Sequence, residues 1–209
     1  MIYLFSMAKL LLVKHAPPEI TPQVVCHRWV LSEEGRHRCA WLTEELKAQG
    51  ITRLYSSLEP KALETAAIVA VRLGLALEPR SNLHESDRTG LGFLSQDELQ
   101  RRLREFFEKP DQSVIVGETA NGAFERFSGA ISNILSEGHS QPLSIVTHGI
   151  VLSLFVARHN AITPFGIWAR LALPSYVVLD ATYFSFDGEV HNYRAMSEIR
   201  RHSAPTTHG

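Results

Sequence analysis

The chain has 209 residues, 44% of them apolar, which predicts one domain with a sizeable core and excludes a disordered or fibrous chain. Lys and Arg together number 21 against 22 for Asp and Glu, a formal charge of -1. No global basic field therefore draws the protein to nucleic acid or to an anionic membrane, and any anion site must be local.

Two cysteines occur, Cys26 and Cys39, without metal-ligand spacing. A disulfide scaffold and a zinc site are not expected, and a reducing cytoplasm is the natural compartment. The apolar stretch Leu10 to Val13 is far short of a membrane span, and Met1 to Met7 lacks the basic start of a signal peptide. Met1 to Ser6 reads as a short extension, with Met7 as the alternative start.

In chain order, the continuously apolar run Leu10 to Val13 predicts a strand buried on both faces of a parallel sheet, stopped by Lys14-His15-Ala16-Pro17-Pro18. Ser32-Glu33-Glu34 opens a helix, with Ser32 as N-cap and Gly50 as its end. Ile51 to Ser57 predicts a second strand, followed by a helix with Pro60 in its first turn and Gly74 after it. From about residue 84 to 140 the rhythm changes to polar helical segments, Ser95 to Glu108 and Glu118 to Glu137, separated by Lys109-Pro110-Asp111 and Val114-Ile115-Val116. This segment is expected to be a helical insertion over the sheet and the active site. Leu143 to Thr147 predicts a third buried strand that ends at His148-Gly149 and enters the apolar helix Ile150 to Ala157.

Asp187-Gly188, between Thr182 to Phe186 and Val190 to Tyr193, signals a hairpin and hence an antiparallel C-terminal edge. Residues 200–209 read as a frayed tail. Phe155-Val156-Ala157 and the segment Phe165 to Leu173 have two readings, core packing or a homodimer surface, with core favoured. The sum is a single α/β domain over residues 1–209: a three-layer α/β/α sandwich around a mostly parallel sheet, in which ligands gather at the carboxyl ends of strands.

The chemistry-bearing residues sit at such ends. His15 and His148 each follow a short apolar run, so the fold itself brings them together. One neutral imidazole can attack an electrophile while the other stabilises the charge that develops on the transferred group. Lys14 and Lys61 add positive charge at the same edge, Lys61 in a helical first turn whose N–H groups also favour an anion. Gly149 permits close backbone approach and offers a further N–H. Glu85, after the apolar Leu83 at an expected strand end, is the leading carboxyl candidate for proton transfer. Asp87 competes for that role, and His84 and Arg88 are candidates for substrate binding.

These residues resemble the motifs of the histidine phosphatase superfamily, the phosphoglycerate-mutase-like proteins, in which an apolar strand ends in Arg-His-Gly and the histidine is transiently phosphorylated. Lys14-His15-Ala16 stands at that motif. Leu31-Ser32-Glu33-Glu34-Gly35 is similar to the family's Leu-Thr-x-x-Gly. Ser56-Ser57-Leu58-Glu59-Pro60-Lys61-Ala62-Leu63-Glu64-Thr65-Ala66 is similar to its Ser-Ser-x-x-x-Arg-Ala-x-x-Thr-Ala. Leu83-x-Glu85 matches the position of the acid, Gly117-Glu118-Thr119 resembles Gly-Glu-Ser, and Val146-Thr147-His148-Gly149 resembles Val-Ser-His-Gly. Order and spacing agree over about residues 8 to 180.

The resemblance implies that His15 is the nucleophile, that His148 stabilises the transferring phosphoryl group and that Glu85 is the proton donor. Lys14 and Lys61 then stand where two phosphate-binding arginines normally lie, and neither a metal nor a cofactor is implied. The implied partner is a small phosphorylated substrate or inorganic phosphate. Lysine keeps the sign of arginine but loses its planar fork. With each lost charge-assisted hydrogen bond worth about 1.5–3 kcal/mol, two losses slow phosphoryl transfer by about a hundredfold or more unless another donor such as Arg88 compensates. Pro17-Pro18 and Thr21 are further departures, and they weigh against mutase activity. Hydrolysis of a phosphomonoester is the leading expectation. A catalytically silent phosphate-ligand or protein-binding domain and a phosphoglycerate-mutase-type phosphotransferase are the rivals.

Overall fold

The computed structural model describes residues 9–87, 94–114, 117–138 and 140–194. The N-terminal extension, Arg88, the pair Ile115-Val116 and the C-terminal tail lie outside them.

Strand β1 (Lys9–Lys14) carries Leu10 to Val13 with no exposed surface, and β4 (Leu143–Thr147) is buried throughout. Continuous burial is what a strand covered on both faces requires. With β2 (Arg53–Ser56), β3 (Leu77–Pro79), β5 (Ser175–Asp180) and β6 (His191–Asn192) they form one sheet in the order β3-β2-β4-β1-β5-β6. The first four strands in that order are parallel to one another, while β5 runs antiparallel to β1, and β6 antiparallel to β5.

Alternate residues of each strand face opposite layers. On one face Leu11, Val13, Leu54 and Val146 pack with Leu42 and Leu46 of α1 (Glu33–Ala48) and with Ala62, Ala66 and Val69 of α2 (Pro60–Leu73). On the other, Leu10, Leu12, Tyr55 and Ile145 meet Phe127, Ile131 and Ile134 of α4 (Ala120–Ser136) and Val151 and Phe155 of α5 (Gly149–His159). Helix α3 (Gln96–Glu108) contributes Leu103 and Phe106, and α6 (Pro164–Trp168) contributes Ile167, to the same cluster. The result is the expected three-layer α/β arrangement with an antiparallel edge. Phe155, Val156 and Ile167 belong to its core, and no helix among the described residues is long and apolar enough to cross a membrane.

The helix boundaries follow their local chemistry. Ser32 Oγ accepts the Gly35 N–H at 3.0 Å, Ser95 Oγ that of Glu98 and Thr119 Oγ1 that of Gly122. Gly74 closes α2 in a left-handed conformation. Gly35 has a second duty, because a Cβ there would collide with the Pro17 carbonyl, which itself accepts the Ser32 N–H and hydroxyl. The loop after His15 is thereby seated on the start of α1.

Two expectations are corrected and one strand is added. Asp187-Gly188 does not join two mutually paired strands: Phe186 bridges Leu179 and His191 pairs with Tyr176, so both flanks lie along β5. The reversal after β5 falls at Asp180, whose Oδ1 accepts the N–H groups of Thr182 and Tyr183 at 2.9 and 2.8 Å. Leu83 is buried but lies beyond the end of β3, in the loop that follows it. Strand β5 itself, Ser-Tyr-Val-Val-Leu-Asp beside β1, went unread because no turn residue announces it other than Pro174.

Candidate active site

The register of the two central strands brings the two histidines together. Lys14 stands opposite Thr147 in the parallel pair of β1 and β4, so the next residue on each chain, His15 and His148, leaves the sheet at the same carboxyl edge. The His15 N–H still donates to the Thr147 carbonyl at 3.1 Å, continuing the ladder one step. The ring centroids lie 5.2 Å apart at an interplanar angle of 63°. His15 is 7% exposed and His148 fully buried.

Each ring is oriented by a neighbour. His15 Nδ1 lies 2.8 Å from the carbonyl of Ala16. A neutral ring that donates there carries its lone pair on Nε2. The Ala16 N–H in turn donates to Thr65 Oγ1, and that hydroxyl to the Lys61 carbonyl, which ties the residue after His15 to the first turns of α2. His148 Nε2 is 2.9 Å from Ser57 Oγ, and the Ser57 N–H donates to Val146 at the end of β4.

Burial, followed by the electrostatic influence of His148, Lys61 and Lys14, holds the His15 imidazole well below its usual range, against the opposing pull of the Ala16 hydrogen bond. The ring is therefore neutral and nucleophilic at pH 7. Because the folded state resists protonation while the unfolded chain takes up a proton near pH 6.5, His15 contributes a loss of stability as the pH falls below 6.5 and none above it. We predict that an activity dependent on neutral His15 persists on acidification through pH 6.5, with its acid limb displaced to lower pH. A limb centred on 6.5 in kcat/KM would show that the imidazole is not shielded in this way.

The two lysines are held differently. Lys14 Nζ donates to the Leu171 carbonyl at 2.9 Å, and its stem passes over Gly149, where an added Cβ would lie 3.2 Å from Lys14 Cε and 3.5 Å from Trp168 Cδ1. Gly149 thus makes room for the lysine. Lys61 is only 4% exposed, and its ammonium donates to the Cys26 carbonyl at 2.8 Å and to Glu59 Oε2 at 2.5 Å. Glu59, the N-cap of α2, has its other oxygen 3.7 Å from His148 Nε2 and accepts the Glu85 N–H on it at 2.9 Å. This buried carboxylate is absent from the residues singled out by sequence.

Glu85 reaches the start of α5, where Oε2 accepts from Ile150 N at 3.0 Å and Oε1 from Val151 N at 3.2 Å, with Ser86 N at 3.0 Å on Oε1 as well. An anion at a helix N-terminus is favoured by both the open N–H groups and the helix dipole. The Ile150 and Val151 donors of this terminus are thereby taken by the protein's own carboxylate. Asp87 is exposed and lies against Gly117, where a Cβ would approach its carboxyl carbon to 2.7 Å at a φ of +123°. His84 is half-buried, and burial lowers its pKa. Arg88 lies outside the described residues.

Arg126 of α4 is a second residue that sequence missed. Its guanidinium donates to the carbonyls of Asn82 at 2.9 Å and His84 at 3.0 Å and forms a two-point pair with Glu118 at 2.6 and 3.2 Å. The loop that carries Glu85 is therefore clamped from α4, and Arg126 and Glu118 are positioning residues for it. The signal was present as Gly117-Glu118-Thr119, but the partner arginine on the next two helical turns reads in sequence as part of a solvated face.

A family model, the histidine phosphatase superfamily (branch 1), matches residues 10–192. The chain belongs to that superfamily. Among curated relatives, the probable phosphoglycerate mutase GpmB of Cronobacter sakazakii is 32% identical over 135 residues, 61% of each chain. Phosphoglycerate mutase-like protein 4 of Arabidopsis thaliana is 27% identical over 134 residues, 60% of this chain and 58% of the relative. The chain thus spans about three-fifths of the length of these curated relatives. Its fold is that of a mycobacterial glucosyl-3-phosphoglycerate phosphatase, with a TM-score of 0.73 at 17% identity over 90% of this chain and all of that one. A phosphoserine phosphatase variant from Entamoeba histolytica bound to phosphoserine has a TM-score of 0.67 at 15% identity, covering 82% of this chain and 90% of that one.

Proposed function

We propose that the protein is a phosphohydrolase that cleaves a small phosphomonoester through a phosphohistidine on His15. The observation that carries the reading is the shielded, neutral His15 ring 5.2 Å from His148, with Lys14 and Lys61 close enough to act on its protonation. The Nε2 lone pair of His15 attacks phosphorus, and the bond from phosphorus to the ester oxygen breaks. Glu85 gives that oxygen a proton, so the alcohol departs neutral. Water then attacks the phosphohistidine, its proton passes to Glu85, and inorganic phosphate leaves with the His15 ring restored. His148, Lys14 and Lys61 stabilise the charge on the phosphoryl oxygens, without a metal. Residues 84 to 140 supply Glu85 and the cover that selects the substrate.

The solved neighbours above are named as phosphatases, which supports hydrolysis, while the curated relatives are named as a probable mutase and a mutase-like protein. A catalytically silent phosphate-binding domain is the second reading, and the Glu59–Lys61 ion pair favours it by engaging one of the two cations.

The test is a panel of phosphomonoesters, including phosphorylated sugar acids and phosphoserine. Release of inorganic phosphate, with a burst of acid-labile protein-bound phosphate in quenched single turnovers, is the expected result. Binding of phosphate with no turnover on any ester supports the silent domain instead. Phosphate that moves within a substrate without exchange to water identifies a mutase.

A further inference from the structure

Glu59 has no part in the scheme above, yet it lies at its centre. Its side chain is about one-tenth exposed, and its two oxygens divide between the groups that face an oxyanion: Oε2 is 2.5 Å from Lys61 Nζ, and Oε1 is 3.7 Å from His148 Nε2. Oε1 also receives the Glu85 N–H at 2.9 Å. A cation, an imidazole and a backbone donor converging on two oxygens is the environment that a phosphate would seek.

We propose that Glu59 is a specificity-determining residue, an internal carboxylate that occupies part of the anion seat and weakens the binding of phosphate and dianionic phosphomonoesters.

The inference rests on the reading of this pocket as a phosphate site. Two features of the surroundings carry it. The first is charge. Glu59 pairs with Lys61 at 2.5 Å and so offsets one of the two ammonium charges, Lys14 and Lys61, that the pocket would offer a dianion. The second is position. Glu59 is fixed on both sides, by Pro60 at the start of α2 and by the hydrogen bond from its own N–H to Ser57 Oγ at 3.2 Å, so its side chain projects into the cluster and not into solvent. A phosphoryl group that reaches Lys61 and His148 must turn the carboxylate aside or lie beside it. Like charges a few ångströms apart in a partly desolvated site repel strongly.

Glu59→Gln keeps the shape and one acceptor oxygen and removes the charge. The experiment measures the dissociation constant of inorganic phosphate, by calorimetry or by protection against thermal unfolding, for the wild type and this variant. Glu59→Leu, which removes both oxygens, serves as the second variant, and thermal melts establish that each is folded. The expected result is that phosphate binds each folded variant about ten to a hundred times more tightly than the wild type. Equal or weaker binding by the variants, with measurable binding by the wild type, makes Glu59 a support for Lys61 and His148 and overturns the inference while leaving the phosphate site standing. Absence of binding in all forms overturns both.

Discussion

His15→Ala protein is expected to release phosphate from any competent ester at less than about a thousandth of the wild-type rate, and to carry no acid-labile phosphate after a quenched turnover. The size of the effect follows from what the alanine removes. Among the described residues no other imidazole shares the position of His15: the His148 ring is fully buried, its Nε2 engaged with Ser57, while His84 is half-buried on a loop held by Arg126. Loss of the nucleophile leaves only the binding and charge-stabilising groups, which act as a unit with it, so the residual rate reflects water attack in a preorganised pocket. The fold should survive the substitution. His15 makes a local contact to the Ala16 carbonyl, and its main-chain bond to Thr147 does not depend on the side chain. Unchanged thermal unfolding with abolished turnover is therefore the signature expected. Retention of acid-labile phosphate by the variant would move the nucleophile elsewhere.

The position of the site was legible in the sequence because it depends on strand ends. Two apolar runs, each followed by histidine, become parallel neighbours in a buried sheet, and the Lys14–Thr147 register does the rest. The composition of the site was less legible. Glu59 precedes a proline in a polar loop and reads as an exposed charge. Its inward turn comes from Pro60, which fixes the start of α2, and from Ser57, whose hydroxyl meets both the Glu59 N–H and His148. Glu85 was singled out by sequence as a candidate, but its seat on the first turn of α5 depends on a loop path that periodicity does not encode. The same limit explains the C-terminal edge. Asp187-Gly188 carries the stronger hairpin signal, yet Asp180 reverses the chain with its own side chain.

The second large effect is one of stability. Lys61→Met is expected to lower the unfolding free energy by about 3 kcal/mol, because it leaves the Glu59 carboxylate in a buried setting without its cation. Methionine preserves most of the volume of the lysine stem, so the cost is electrostatic rather than a cavity. Against a typical total of about 5–15 kcal/mol for a domain, that is a large fraction. Glu59→Gln alone should cost less, since Lys61 keeps its hydrogen bond to the Cys26 carbonyl and gains an amide oxygen in place of the carboxylate. The double variant should be more stable than Lys61→Met, because removing the second charge relieves the first loss. Urea unfolding of the four proteins gives the coupling directly, and about 1.5 kcal/mol or more is the expected value for a buried, hydrogen-bonded pair. If Lys61→Met unfolds with the wild type, the pair is solvated in solution. The Glu59 carboxylate is then not held in the anion seat, and the balance of charge around His15 and His148 shifts toward the positive site that fast phosphoryl transfer requires.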